Sequence, residues 1–286
     1  PPGGPGPPGP DTPQPPASGR GPRRRPRANP MLRPPRPGGV RNPVWHALVT
    51  RAEHVEREAE GSVHDLPAWR RRTRGEHRWP VTISVIVAIV LQLRLPGQLS
   101  MHPLPTWLLP ALEGGVLVAL AIANPVRIER RGVFVRWVSI VLILLISGAN
   151  AASAVLLIRE IITGNAGGTA GPLLASGAAI WATNVIAFAL WYWEFDRGGP
   201  VHRAHGTFQY LDFLFPQMTI EHMTPPDWEP RFVDYLYLSF TNATAFSPTD
   251  VMPLARWAKL TMLVQSAVSL SLGVLVIARA VNILPP

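Results

Sequence analysis

The stretch FVDYLYLSFTNATAFSPTDVMPLARWAKLTMLVQSAVSLSLGVLVIARAVNIL, Phe232–Leu284, decides the fold. It reads as a half-length helix, a polar turn rich in Thr, Ser and Asp, and then a long apolar helix. Irregular polar backbone at membrane depth persists only where protein buries it or where it lines a water-filled cavity. The hairpin therefore predicts either a packed intramembrane element or the wall of an aqueous path.

Working outward, almost half of the 286 residues are hydrophobic (47%), and they fall in blocks. A helix needs roughly 20 apolar residues to cross the hydrocarbon core. Ser139–Ile158, Pro172–Trp193 and Leu260–Leu284 meet that length, and Trp107–Asn124 comes close. Val81–Leu95 is shorter and is bracketed by Pro80 and Pro96, with Trp79 and Arg94 as interfacial anchors. The pattern predicts an all-α polytopic transmembrane bundle of five to six spans, whose partner is the lipid bilayer.

The formal net charge of +9 is concentrated before residue 80, where more than half of the basic residues lie. A basic segment ahead of a first span is a cytoplasmic retention signal. The expected arrangement is thus a multi-pass membrane protein with a cytoplasmic N-terminus. The arm can also touch anionic lipid headgroups, and no nucleic-acid partner is expected. With no cysteine, disulfides and thiolate chemistry are excluded.

Four regions are expected. Residues 1–41 form a Pro/Gly/Arg-rich disordered arm, too poor in apolar side chains to order itself; Met31 is an alternative start. Residues 42–79 hold an amphipathic helix opened by Asn42-Pro43, with Trp45, Leu48, Val49, Ala52 and Val55 on one face, and a basic linker. Residues 80–163 contain the first three membrane helices, and 164–286 hold the fourth helix, a polar loop, the short helix and the final helix. Arg127, Arg130, Arg131 and Arg136 favour the inside for the loop after the second span. The same alternation puts the acid-rich loop Glu194–Arg231 inside, whereas its charge suits the outside; Phe232–Met252 as a full, polar crossing, or one short early run as a re-entrant segment, are the two ways to reconcile them.

The turn Thr241-Asn242-Ala243-Thr244-Ala245-Phe246-Ser247-Pro248-Thr249-Asp250-Val251-Met252-Pro253 resembles the pore loop of potassium-channel-like (two-transmembrane) domains. The Thr, the trailing Asp250 and Pro253, and the helix that follows carry the likeness. The two filter glycines of that family do not exist here, and Pro248 cannot replace one, since its ring fixes φ and removes the N–H. A dehydrating carbonyl cage selective for potassium is therefore not expected. The resemblance implies a short pore-type helix before the last span, a homo-oligomer around an axial pore, and a path lined by Thr241, Thr244, Ser247, Thr249 and Asp250. Thr261, Gln265, Ser269 and Gly273 add a small or polar stripe to the final helix, suited either to pore lining or to close helix packing. WYWEFDRGGP (Trp191–Pro200), FLFPQM (Phe213–Met218) and FTNATAFSPTD (Phe240–Asp250) also resemble a group of uncharacterised bacterial polytopic membrane proteins, and that resemblance implies the bacterial inner (plasma) membrane as the location.

Other polar residues invite separate readings. Arg94 and Glu113 fall in the same half of the first helical hairpin and are expected to neutralise each other, with ion or proton handling by Glu113 as the alternative. Asn150 and Asn184 read as interhelical hydrogen-bonding groups. The loop Glu194–Arg231 reads as solvated; its His202-Arg203-Ala204-His205 is a weak metal signal. No HExxH, GxSxG or Walker A pattern is present. Catalytic residues, a metal and other cofactors are not expected, and the chain is not read as an enzyme. The functional expectation is a degenerate ion-channel-like pore domain conducting cations or small polar solutes with weak selectivity. The alternative is a non-conducting membrane scaffold or interaction protein of the cell envelope.

Overall fold

The computed structural model describes residues 67–99, 105–123, 133–165, 169–206, 210–220, 223–244 and 250–283. The expected N-terminal arm and amphipathic helix lie outside the described residues, as do Ser247 and Thr249. The described chain is predominantly helical: α1 Trp79–Leu93, α2 Leu108–Ala123, α3 Val133–Thr163, α4 Ala170–Phe195, the short α5 Pro200–Ala204, α6 Phe232–Thr244 and α7 Arg256–Ile283. Two-residue strands β1 (Phe213–Leu214) and β2 (Met252–Pro253) pair antiparallel, Phe213 opposite Pro253.

Among the described residues, three helices are long and apolar enough to cross a membrane: Val133–Thr163, Ala170–Gly198 and Arg256–Ile283, with mean hydropathies of 2.4, 1.8 and 2.1. The 15-residue α1 and 16-residue α2 are each about 23 Å long at 1.5 Å per residue, less than the roughly 30 Å hydrocarbon core. Pro80 starts α1, and the chain leaves the helix just before Pro96.

α4 is the axis of the bundle. It packs against α1, α3, α6 and α7 and buries Leu173, Ile180, Ala187, Ala189, Leu190, Tyr192 and Trp193. Gly177 permits the close approach of α7: a Cβ there would lie 2.7 Å from Cγ1 of Val276.

The helices alternate about one end of the bundle, which a polar cap closes. There Arg78, at the start of α1, donates to the Leu120 carbonyl near the end of α2. Arg136, in the first turn of α3, lies 3.8 Å from Glu194 in the last turn of α4. α6 and α7 both begin at this end: Phe232 N–H donates to Glu76, and the Trp257 indole donates to Asp212 Oδ1 at 3.0 Å. β2 meets β1 beside them, so the 13-residue α6 and α7 both depart from this end. α6 and α7 are therefore parallel neighbours rather than an antiparallel pair.

The loop expected to be solvated is instead the body of this cap. Asp196, Arg197, Phe213 and Phe215 are buried. Phe213 stacks edge-on against Tyr192, Tyr235 and Trp257, and Phe215 against Tyr235 and Trp228. The chain turns sharply after α4: Arg197 (φ 50°) and Gly198 (φ 76°) are left-handed, and Gly199 is at φ 100°. A Cβ at Gly199 would lie 2.9 Å from the Glu194 carbonyl oxygen. The charge count misled because the charges are paired internally. Asp196 accepts from Arg197 Nε at 3.2 Å and from the Tyr235 hydroxyl. Arg203 donates to the carbonyls of Trp193 and Asp196, and its guanidinium sits 5.0 Å from the Tyr235 ring centre.

Glu76 joins three distant parts of the chain. One oxygen accepts from the Trp193 indole at 2.8 Å, the other from Phe232 N–H. Burial raises its pKa above the usual glutamate value, while those two hydrogen bonds and the Arg203 charge oppose the rise.

Two predictions follow from these contacts. Gly177→Val should destabilise the bundle by about 1–3 kcal/mol through overpacking against Val276, read by unfolding in mixed micelles. Glu76→Ala should strand two buried donors, at about 1–3 kcal/mol each. Because the folded-state pKa of Glu76 is raised, the folded chain binds the proton more tightly than the unfolded one. Its contribution is therefore most favourable below the ordinary glutamate range and declines as pH rises through the raised value. Unfolding curves across that window should show the decline in the native chain and lose that component in Glu76→Gln.

Candidate functional site

The hairpin domain of α4, α6 and α7 contains the densest polar network inside the apolar part of the bundle. Gln265 of α7 is its centre and is fully buried. Its carbonyl accepts from the Tyr192 hydroxyl of α4 at 2.6 Å and from the Asn242 amide of α6 at 2.8 Å. Its amide donates to the Ser239 carbonyl at 2.9 Å and to Ser239 Oγ at 2.6 Å. Ser239 Oγ in turn donates to the Val185 carbonyl. Asn242 also donates to the Met262 carbonyl at 3.0 Å, and its carbonyls receive the Ser266 hydroxyl. One turn further along α7, Asn184 donates to Ser269 Oγ at 3.0 Å.

These partners follow from helical spacing. Gln265, Ser269, Leu272, Val276 and Ala280 are the buried positions of α7 over its last five turns, recurring every three or four residues. Ser239 and Asn242 are three apart on α6 and face them. The 28-residue α7 also leaves a long lipid-type face exposed, including Leu263, Leu270, Val274 and Ile277.

The residues expected to line a path are divided by the structure. Thr241 and Thr244 sit half-buried in the last turn of α6, where their hydroxyls donate to carbonyls of the same helix: Tyr237 and Leu238 at 3.0 Å, and Thr241 at 2.9 Å. Each oxygen keeps acceptor capacity, and the helix C-terminus adds partial negative charge. Asp250 is exposed where the described chain resumes ahead of β2. Thr261 is half-buried and donates to the Trp257 carbonyl at 2.8 Å. Gln265 and Ser269 are engaged by the chain's own α4 and α6, so for these two the packing alternative matches the contacts. The Asn184 bridge to Ser269 is the interhelical bond expected of it.

Sequence reasoning missed Tyr192, Ser239 and Asn242 as members of the network. A polar residue inside an apolar run is a signal for a partner, but the identity of that partner lies in another helix.

Arg94 and Glu113 are not brought together. Arg94 follows α1 and is exposed, whereas Glu113 is completely buried on α2. Gln92 and Arg94 are two residues apart, about 200° around a helix, so when Gln92 turns toward the bundle Arg94 turns out. Among the described residues, no ion pair joins Arg94 to Glu113 and no three His, Asp or Glu side chains gather as metal ligands. His205 Nδ1 instead lies 2.6 Å from the Val201 carbonyl.

Gln265→Leu should destabilise the folded chain by about 1–3 kcal/mol by leaving the Tyr192 hydroxyl without its acceptor and taking one partner each from Ser239 and Asn242. A residue facing water in a pore would tolerate Leu without that loss, so an unfolding titration separates the two roles. A scan against family models finds no match, and comparisons with curated proteins and with solved structures find no similar chain.

Proposed function

We propose that this chain is an integral membrane protein with a degenerate ion-channel-like pore domain, made of α4, α6 and α7. It passes cations or small polar solutes with weak selectivity as a homo-oligomer. The observation that carries this reading is the course of α6: a half-length helix that starts at the cap, stops beside Met262–Ser266 of α7, and is followed by a return to the cap at β2. A short helix ending inside a bundle aims its negative end and its hydroxyls into the interior, a favourable setting for a cation. Thr244 supplies hydroxyl oxygen, and exposed Asp250, repeated around an oligomer axis, supplies a ring of negative charge. α1 and α2 serve as two shorter crossings beside this domain, in the bacterial inner membrane. With the basic arm held in the cytoplasm, the cap lies on the cytoplasmic side.

The scaffold reading has its own support. The turn Thr241–Pro253 contains no glycine, and the polar residues Gln265 and Ser269 are spent on packing within one chain. In that reading the hairpin is a packing device, and the basic arm recruits lipid or a partner.

Reversal potentials of purified protein in liposomes under a salt gradient distinguish these readings. The pore reading expects a cation-biased potential in the native chain and a shift toward zero in Asp250→Asn. An unchanged potential in a conducting preparation removes Asp250 from the path. Absence of conductance from monomeric, correctly inserted protein favours the scaffold.

A further inference from the structure

We propose that Glu113 and Gln92 form a proton-binding site inside the α1–α2 hairpin, with the Glu113 carboxyl carrying the proton. This is separate from the α4–α6–α7 domain and stands whether or not that domain conducts.

The site arises from two helical stripes that meet. α2 buries Pro110, Glu113, Leu117 and Leu120, a single face with Glu113 in its first half. α1 buries Val85 and Ala88, and Gln92 continues that face one turn on. Glu113 has no exposed surface, and neither of its carboxyl oxygens has a hydrogen-bond partner. Gln92 Nε2 is likewise buried without a partner. The Gln92 side chain is the neighbouring polar group that interacts with the carboxyl.

Among the described residues, no counter-charge is at hand. α2 packs against α1 and α3. Between Trp79 and Leu93 on α1, and between Trp137 and Ile158 on α3, there is no ionisable side chain. The charged groups on those elements are Arg78, Arg94, Arg136, Arg159 and Glu160, all at or beyond the end turns; Arg94 and Arg159 are exposed. A buried carboxylate without a cation or donors is strongly disfavoured, and the neutral acid takes its place.

The neighbour is chemically matched to that acid. A primary amide and a carboxylic acid can exchange two hydrogen bonds, the acid O–H donating to the amide oxygen and the amide N–H to the acid carbonyl. An ionised carboxylate can use only the amide N–H side. The pair therefore selects a proton over a metal cation, for which the described residues gather no set of three side-chain ligands.

A protonated carboxyl in an apolar setting reacts with a membrane-soluble carbodiimide. The acid proton moves to a carbodiimide nitrogen and a carboxyl oxygen bonds to the central carbon; the adduct then rearranges to an N-acylurea, with nothing oxidised and nothing released. The test treats the full chain in liposomes with dicyclohexylcarbodiimide and maps adducts by peptide mass spectrometry. The expected result is an adduct on Glu113 that a water-soluble amine does not suppress and that Glu113→Gln abolishes. Glu113 unmodified in the folded chain, under conditions that modify it after unfolding in detergent, overturns the proposal. Infrared spectra supply a second measurement at neutral pH. A protonated-carboxyl carbonyl band that disappears in Glu113→Gln and moves to higher wavenumber in Gln92→Leu supports the pair. A spectrum unchanged by Glu113→Gln overturns it.

Discussion

Everything around the hairpin depends on satisfying the polar groups of a short helix held against apolar neighbours. α6 carries Ser239, Thr241, Asn242 and Thr244 within two turns, and hydrocarbon offers none of them a hydrogen bond. Gln265 meets this need by acting as donor and acceptor at once, binding α6 on one side and Tyr192 of α4 on the other. Because it is fully buried, its own amide has no alternative partner in water. The register of α7 against α4 and α6 is thereby set by hydrogen bonds, and the Gly177–Val276 approach further along then brings the apolar surfaces together.

The cap solves the same problem by different means. Where the network inside the bundle uses neutral amides and hydroxyls, the cap uses full charges that cancel locally. Asp196 sits among Arg197, Tyr235 and a turn of left-handed backbone, and Arg203 is spread between carbonyl oxygens and two aromatic rings. Placing charge at the end of the bundle rather than within it limits the desolvation cost, and the aromatic faces of Phe213 and Phe215 hold the loop down.

Much of this was legible in the residues. Hydropathy and length were enough to find α3, α4 and α7, because a long apolar helix is a local property of the chain. The half-length α6 was visible from its polar run and the prolines behind it. α1 and α2 read as spans but are shorter than the hydrocarbon core. The cap was read as a solvated loop because Asp196, Arg197 and Arg203 look like surface charge until their partners are known. Those partners, Tyr235 and the Trp193 carbonyl, are set by tertiary packing. The polar stripe on α7 was recognised, but the sequence left two uses open, and only the contacts of Gln265 and Ser269 favour one. The Arg94–Glu113 pairing failed on helical phase, since a two-residue offset turned Arg94 away from the face that carries Gln92.

The Glu76 contacts bear on how such a chain is made. Its two donors, Trp193 and Phe232, lie 117 and 156 residues further along. During synthesis at roughly 5–20 residues per second, the first helical hairpin is complete several seconds before either donor leaves the ribosome. Through that interval Glu76 is without its two donors, and the start of α1 stays unlatched. The cap can close only after α6 has emerged, so closure is a late, long-range event that reports on assembly of the whole bundle. A chain truncated before Phe232 would leave the ribosome with its helices made and its latch open, a state that a quality-control protease could recognise.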